Sequence, residues 1–183
     1  MEFREVTGEL EIETCAEVIR KSFRTVADEF GLTEENAPTN PAFLTVEKLR
    51  QTIAKPVRFF GLFDGTRQVG CVALEPSRDE SGVFFLERLA VVPEARHKGY
   101  GVALLNFAFL EAKKANAEKI KIGIIDENRV LKRWYLDYGF TETGTKTFAH
   151  LPFTVCFMEK NIGSKTPCYK ITGIRRPSLN SSG

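Results

Sequence analysis

The stretch Val91-Val92-Pro93-Glu94-Ala95-Arg96-His97-Lys98-Gly99-Tyr100-Gly101 decides the reading of this chain. Before it runs Val83 to Val92, almost wholly apolar, as expected of a central strand buried on both faces. After it, Val102, Leu105, Phe109 and Ala112 recur at helical spacing, and Leu104 and Phe107 widen the apolar surface, which predicts a helix over 99–116. Two glycines two residues apart let the backbone turn tightly and approach a ligand closely. The first turn of the helix points unpaired N–H groups outward and carries partial positive charge, a site for an anion. Arg96 and Lys98 add full charge at its rim, so the stretch describes a pyrophosphate site. The dinucleotide fingerprint G-x-G-x-x-G is not met, because Leu104 stands at the third glycine, and there is no G-K-[ST] of a P-loop.

Outward from this turn, the chain reads as strand and helix in mixed order. Phe3 to Val6 is a short strand. Ile12, Cys15, Ile19, Phe23, Ala27 and Phe30 mark one helix face that Gly31 stops, with Thr14 and Glu17 at capping-box spacing. A polar, proline-bearing loop follows, then a short helix from Phe43 to Ile53 ended by Pro56. Val57 to Phe63 and Gln68 to Leu74 flank Asp64-Gly65, a hairpin signal. Beyond the central helix come a strand with alternating Ile120, Ile122 and Ile124, a short helix over 128–138 stopped by Gly139, and two strands over 140–147 and 153–159. The strand–helix–strand step between 83 and 125 demands a parallel pairing, whereas the rest reads antiparallel. The fold class expected is α/β, with a mixed, mostly antiparallel sheet and about four helices. Residues 1–162 are expected to form a single domain and 163–183 a flexible tail.

Composition narrows the function classes. The chain of 183 residues is 43% hydrophobic with 15 Phe, most of them in apolar runs. Its net charge is +2, and Lys165, Lys170, Arg175 and Arg176 in the tail account for more than that, so no basic field for nucleic acid is expected. Four scattered cysteines and two histidines make poor zinc material, and no metal is expected. Without an apolar signal core in MEFREVTGEL or a run of membrane-spanning length, the expectation is a cytoplasmic protein with no membrane partner.

Two motifs together resemble the GNAT superfamily of N-acetyltransferases. One is the strand ending V-x-P followed by R-x-x-G-x-G, here Val91 to Gly101. The other is Asn128, Leu131, Tyr135 and Gly139-Phe140, an Asn, an aliphatic residue and a Tyr four before Gly-Phe. The resemblance is specific over roughly 57–160. It implies the acyl-CoA acyltransferase fold, with the sheet splayed at the central strand, and acetyl-CoA as acyl donor. The pantetheine arm would lie along the backbone of Leu89, Ala90 and Val91. The pyrophosphate would sit on the N–H groups of His97, Lys98, Gly99, Tyr100, Gly101 and Val102, with Arg96 at its rim. Asn128 would contact the pantetheine end, and Tyr135 would lie near the thioester sulfur. Many relatives form dimers, so a homodimer is carried by analogy only.

The reaction needs more than a cradle. An alkyl amine with a pKa near 10.4 is protonated at neutral pH, and freeing its lone pair costs roughly 4–5 kcal/mol. That calls for a base, and for an acid to meet the departing thiolate. Glu87, the only carboxylate in its strand and in alternation with Phe85 and Leu89, is the base candidate. A structural ion pair with a nearby Arg or Lys is the competing account. Tyr135 is the acid candidate, against a packing role beside Trp134 and Tyr138. His150 is a weaker candidate on the acceptor side, and the polar loop residues Glu34, Glu35, Asn36, Thr39 and Asn40 either recognise a cationic acceptor or are merely solvated. The acceptor class expected is a primary amine of a small molecule or a lysine. A peptide N-terminus is disfavoured, because Gly123-Ile124-Ile125 stands where enzymes acting on ribosomal protein N-termini usually carry E-V-R. A second reading keeps the cradle but makes the chain an acyl-CoA sensor without turnover.

Overall fold

The computed structural model describes residues 1–163. The tail expected from 163 onward therefore lies, apart from Gly163, outside the described residues. In chain order the elements are β1 (Glu2–Glu5), α1 (Glu9–Glu29), a 3-10 turn (Pro41–Phe43), α2 (Val46–Ile53), β2 (Arg58–Asp64), β3 (Arg67–Pro76), β4 (Val83–Val91), a second 3-10 turn (Pro93–Ala95), α3 (Tyr100–Lys114), β5 (Lys119–Ile125), α4 (Arg129–Tyr138), β6 (Thr141–Thr147) and β7 (Thr154–Asn161). The seven strands form one sheet in the order β1-β2-β3-β4-β5-β7-β6. All neighbours pair antiparallel except β4 and β5, which run parallel as the crossover through α3 requires.

Helix α1 packs on one face of β3 and β4. Its Cys15, Ala16 and Ile19 are fully buried, and Cys71 and Ala73 of β3 are sealed beside them. On the other face, α3 presses Leu104, Leu105 and Ala108 into the core, where each fully buried leucine contributes about 1.5–3 kcal/mol. Phe107 of α3 stacks flat on Phe3 at 4.1 Å between ring centres and meets Phe60 edge-on at 5.0 Å, fastening β1 and β2 to that helix. Cys15, Cys71 and Cys156 are free and buried, as small apolar thiols should be.

Three local expectations are corrected. The capping device of α1 sits at Gly8 and Glu11, nearly two turns earlier than Thr14 and Glu17. The Glu11 carboxylate accepts from the N–H groups of Thr7 and Gly8, while Thr14 bonds back to the Leu10 carbonyl and Glu17 pairs with Lys21. The second helix begins at Val46 rather than Phe43, because Thr45 caps it by accepting from the Lys48 N–H at 3.1 Å. The third correction concerns β4, which is not buried on both faces. Only Val83, Leu86 and Ala90 are buried in it, and its other residues reach solvent. The reason is the sheet itself: β4 pairs with β5 only at Val83, Phe84 and Phe85, opposite Lys119, Ile120 and Lys121. Beyond Phe85 the two strands part, although β5 stays paired to β7 as far as Ile125 and β4 to β3 as far as Val91.

Candidate active site

The parting of β4 from β5 leaves a wedge, and the turn after β4 stands at its mouth. Pro93 starts a 3-10 turn, His97 adopts φ +61° and Gly99 φ +85° before α3 begins. This path turns six successive N–H groups, His97 to Val102, away from every carbonyl of the described chain, and the first intrahelical bond of α3 is Ala103 to Gly99. Such a run of unbonded donors at a helix N-terminus is what a diphosphate needs. Lys98 and His97 are exposed beside it.

Arg96 does something other than the rim role expected of it. Its guanidinium turns inward, donating to the Val91 carbonyl at 3.2 Å, the Ser22 carbonyl at 2.7 Å and Thr25 Oγ1 at 2.9 Å. The side chain thus ties the cradle to α1 and occupies the Val91 carbonyl, leaving that residue's N–H for any ligand. Two further tethers hold the loop from the β2–β3 turn. Tyr100 donates its hydroxyl to Asp64 at 2.6 Å, and Arg67 bonds Glu94.

Glu87 of β4 lies near enough to Tyr135 of α4 for the carboxylate's charge to act on the phenol. Glu87 is exposed by area, yet loss of surrounding solvent holds its carboxyl above the ordinary carboxylate range; Arg88 opposes that shift and Glu75 adds to it. Both facts hold for a carboxylate in an open cleft, which water touches but does not surround. Tyr135 is 4% exposed, packed edge-on against Trp134 and Phe140. Its hydroxyl is bonded by no group of the described chain, and burial, then Glu87, push its pKa up, so it stays protonated at neutral pH. Asn128 caps α4 by accepting from the Leu131 N–H at 3.0 Å, which commits its carbonyl oxygen to the helix.

The expected face of Glu87 needs correction. The register pairs Ala73 with Glu87 and Cys71 with Ala90, so β4 carries one extra residue between them, and Arg88 there has φ +49°. Ala90, not Leu89, therefore shares the face of Glu87, the face that α1 covers. Of the polar loop residues, Asn36 is held within its own turn, bonding the Thr33 N–H and the Gly31 carbonyl, and Asn40 caps the first 3-10 turn. The loop's Leu32, Ala37 and Ala42 form a small apolar cluster with Phe43, Ile125 and Phe153, so the loop bridges from α1 to the far side of the wedge. His150 is exposed and rests near the Phe148 ring, and Glu34, Glu35 and Thr39 are exposed.

The profile of the Acetyltransferase (GNAT) family matches residues 22–140. The chain belongs to the GNAT acetyltransferase family. It is an acetyltransferase, and its acyl donor is acetyl-CoA. No curated protein matches it in sequence. Among solved structures it is similar to the ribosomal-protein-S18-alanine N-acetyltransferase of Escherichia coli, with a TM-score of 0.68, 12% identity, and 91% of this chain and 97% of that one covered. It is also similar to the PaiA N-acetyltransferase of Thermoplasma acidophilum in complex with coenzyme A, with a TM-score of 0.65, 23% identity, and 88% and 99% covered. A third similar structure is an aminoglycoside 6'-N-acetyltransferase complexed with coenzyme A, with a TM-score of 0.66, 15% identity, and 97% and 100% covered. At these identities the likeness speaks to the fold.

The donor fits the chain's own groups: six free amides for a diphosphate and an unpaired strand edge for an extended amide-bearing arm. Elsewhere, Asp126, Glu142 and Cys156 bring ligand atoms within 4.8 Å of one another, but the Lys132 ammonium already bridges the two carboxylates. A cavity of about 450 Å³, lined by Val6, Ile53, Val57 and Phe84 among others, lies by the paired end of β4, away from the wedge. Among the described residues no helix is long and apolar enough to cross a membrane.

Proposed function

We propose that the chain, as one domain over residues 1–162, transfers the acetyl group of acetyl-CoA to a primary amine of a small molecule or of a lysine by direct attack. One observation carries this reading: the free amides of His97 to Val102 follow the opened end of β4, and Glu87 stands on that same strand with its charge acting on Tyr135 of α4. Leu89, Ala90 and Val91 offer the strand edge to the pantetheine arm, and Asn128 meets that arm with its amide nitrogen. Lys98, Gly99, Tyr100, Gly101 and Val102 hold the diphosphate with His97, and Arg96 positions them through α1. Glu87 takes the proton of the incoming ammonium, directly or through water, which its raised pKa suits. Tyr135, neutral at pH 7, gives its proton to the departing thiolate. We assign the activity to the cytoplasm.

The test is thiol release from acetyl-CoA across amines, polyamines, amino acids, aminoglycosides and peptides, with calorimetry for the donor alone. Binding at micromolar acetyl-CoA and release with at least one amine are expected. Glu87→Gln should keep donor affinity and lose about 10²–10⁴-fold in turnover. Unchanged turnover removes Glu87 from the base role.

A further inference from the structure

Arg88 is the residue that neither the fold nor the catalytic steps account for. The described chain has four half-buried arginines, Arg20, Arg50, Arg88 and Arg96. Arg20 bonds the Leu44 carbonyl, Arg50 bonds Glu9 and Glu47, and Arg96 makes the three bonds given above. Arg88 alone of these has no acceptor among the described residues: no described carboxylate lies within ion-pair distance, and its Nε is sealed from water without a hydrogen-bond partner. Its guanidinium stands 5.7 Å from the centre of the Phe59 ring. A buried N–H without a partner is costly, and folded chains rarely leave one in place.

The backbone goes out of its way to put it there. Arg88 is the extra residue of the β4 bulge and holds φ +49°, a region where a long side chain is strained. Bulges re-aim side chains. This one carries Arg88 toward Phe59, across the small Ala73 that separates Phe59 from Glu87 in the register. The guanidinium therefore sits on the α1 face, on the face and beside the strand position of Glu87, and Glu87 and Glu75 are the carboxylates whose charges this face carries. A purely cationic acceptor would be drawn by the carboxylates and repelled by Arg88. An acceptor with both an ammonium and an oxyanion satisfies both.

We infer that Arg88 binds an oxyanion, carboxylate or phosphate, on the amine acceptor, so that the substrate class is zwitterionic, such as an amino acid or an aminoalkyl phosphate. This rests on the reading of the wedge as an amine acetylation site. The arrangement sends the ammonium to Glu87 and the anion to the planar, two-pronged donor of Arg88. Polyamines and aminoglycosides, which carry no anion, become poor acceptors.

The experiment is thiol release by the full chain with matched acceptor pairs: an α-amino acid against the amine left by its decarboxylation, and an aminoalkyl phosphate against its amino alcohol. At least one anionic member should show kcat/KM tenfold or more above its partner, and which pair responds distinguishes carboxylate from phosphate. Arg88→Met should bring that ratio near one, and Arg88→Lys should restore part of it. If Arg88 served only to tune Glu87, Arg88→Met would move the pH profile equally for both members and leave the ratio intact, which overturns the inference. Should Arg88→Met fail to fold, the wild-type ratios decide alone: ratios at or below one with active turnover overturn the inference and leave amine acetylation standing. No release from any amine overturns both.

Discussion

Gly70→Ala perturbs the wedge without touching any reacting group. Gly70 pairs with Val91 across β3 and β4, and a methyl group there would stand 2.7 Å from the Ala90 carbonyl oxygen and 2.9 Å from Leu104 Cδ1. Leu104 can swing its terminal carbon aside, but the Ala90 carbonyl belongs to a strand backbone and yields only if the end of β4 moves. Overpacking of this kind costs about 1–3 kcal/mol, and a domain of this size loses roughly 2–4 °C of Tm per kcal/mol. Displacing Ala90 also displaces Leu89 and Val91, the strand edge assigned to the pantetheine arm, so acetyl-CoA affinity should fall along with Tm. Thermal denaturation and calorimetry with acetyl-CoA measure the two losses. Gly99→Ala is the control: nothing lies within 4 Å of its added methyl, so it carries only the strain of φ +85°, about 1–2 kcal/mol. If Gly70→Ala matches wild type in both Tm and affinity, the end of β4 is not held rigidly and the reasoning fails.

Other outcomes follow from the same geometry. With saturating acceptor, kcat should rise with pH through an apparent pKa above the ordinary carboxylate range, and Glu87→Gln should abolish that limb; a limb that survives in the variant belongs to another group. Because folded Glu87 holds its proton more tightly than the unfolded chain does, the folded state loses stability as pH rises through the raised value, so Glu87→Gln should raise Tm at pH 7 while it abolishes turnover. Tyr135→Phe leaves the packing against Trp134 and Phe140 intact and should lower kcat about a hundredfold with little change in Tm; an unaltered kcat assigns the proton to water. Arg96→Met breaks two bonds from the cradle to α1 and one to the end of β4, and should raise the KM for acetyl-CoA tenfold or more, with kcat at saturation less affected.

The order of elements was readable because each is announced by local chemistry: alternation in β5, a 3.6-residue apolar period in α1 and α3, Asp64-Gly65 between β2 and β3, and Gly139 after α4. The cradle was readable for the same reason, since Gly99 in the left-handed region is a demand of the backbone itself. What escaped depends on neighbours distant in sequence. A strand of nine residues that is nearly all apolar predicts burial on both faces, but β4 is open because β5 leaves it after three pairs, and the partner, not the strand, decides that. Arg96 carries a charge suited to phosphate, yet Ser22 and Thr25, far earlier in the chain, claim it. Arg88 was visible as the second charged residue in an apolar strand. Its meaning came only from the bulge, which shifts the pleat by one residue and is set by the register with β3.

Several features that weaken this fold lie at or beside the open end of β4, and they argue for where its chemistry lies. A sheet zipped along the whole of β4 and β5 would gain further hydrogen bonds, and the chain leaves them unmade beyond Phe85. The turn and first helical residues that lead out of the opening, His97 to Val102, hold six amides that bond nothing among the described residues. A desolvated carboxylate, an unbonded phenol and an unpaired guanidinium share the strand or face it. Away from the wedge many charges are paired, as Arg4 is with Glu2, Arg58 with Glu5 and Lys119 with Glu159. The two halves of the sheet are nonetheless held at a fixed angle. The three β4–β5 pairs join them at the base, and α3 is locked to α4 by the bond from the Tyr138 hydroxyl to Asn106 at 2.6 Å and by Phe109 against the Tyr138 ring. A wedge braced in this way cannot collapse to satisfy its own donors, so they stay available to a ligand that brings a diphosphate, an extended amide chain and an acyl group in that order.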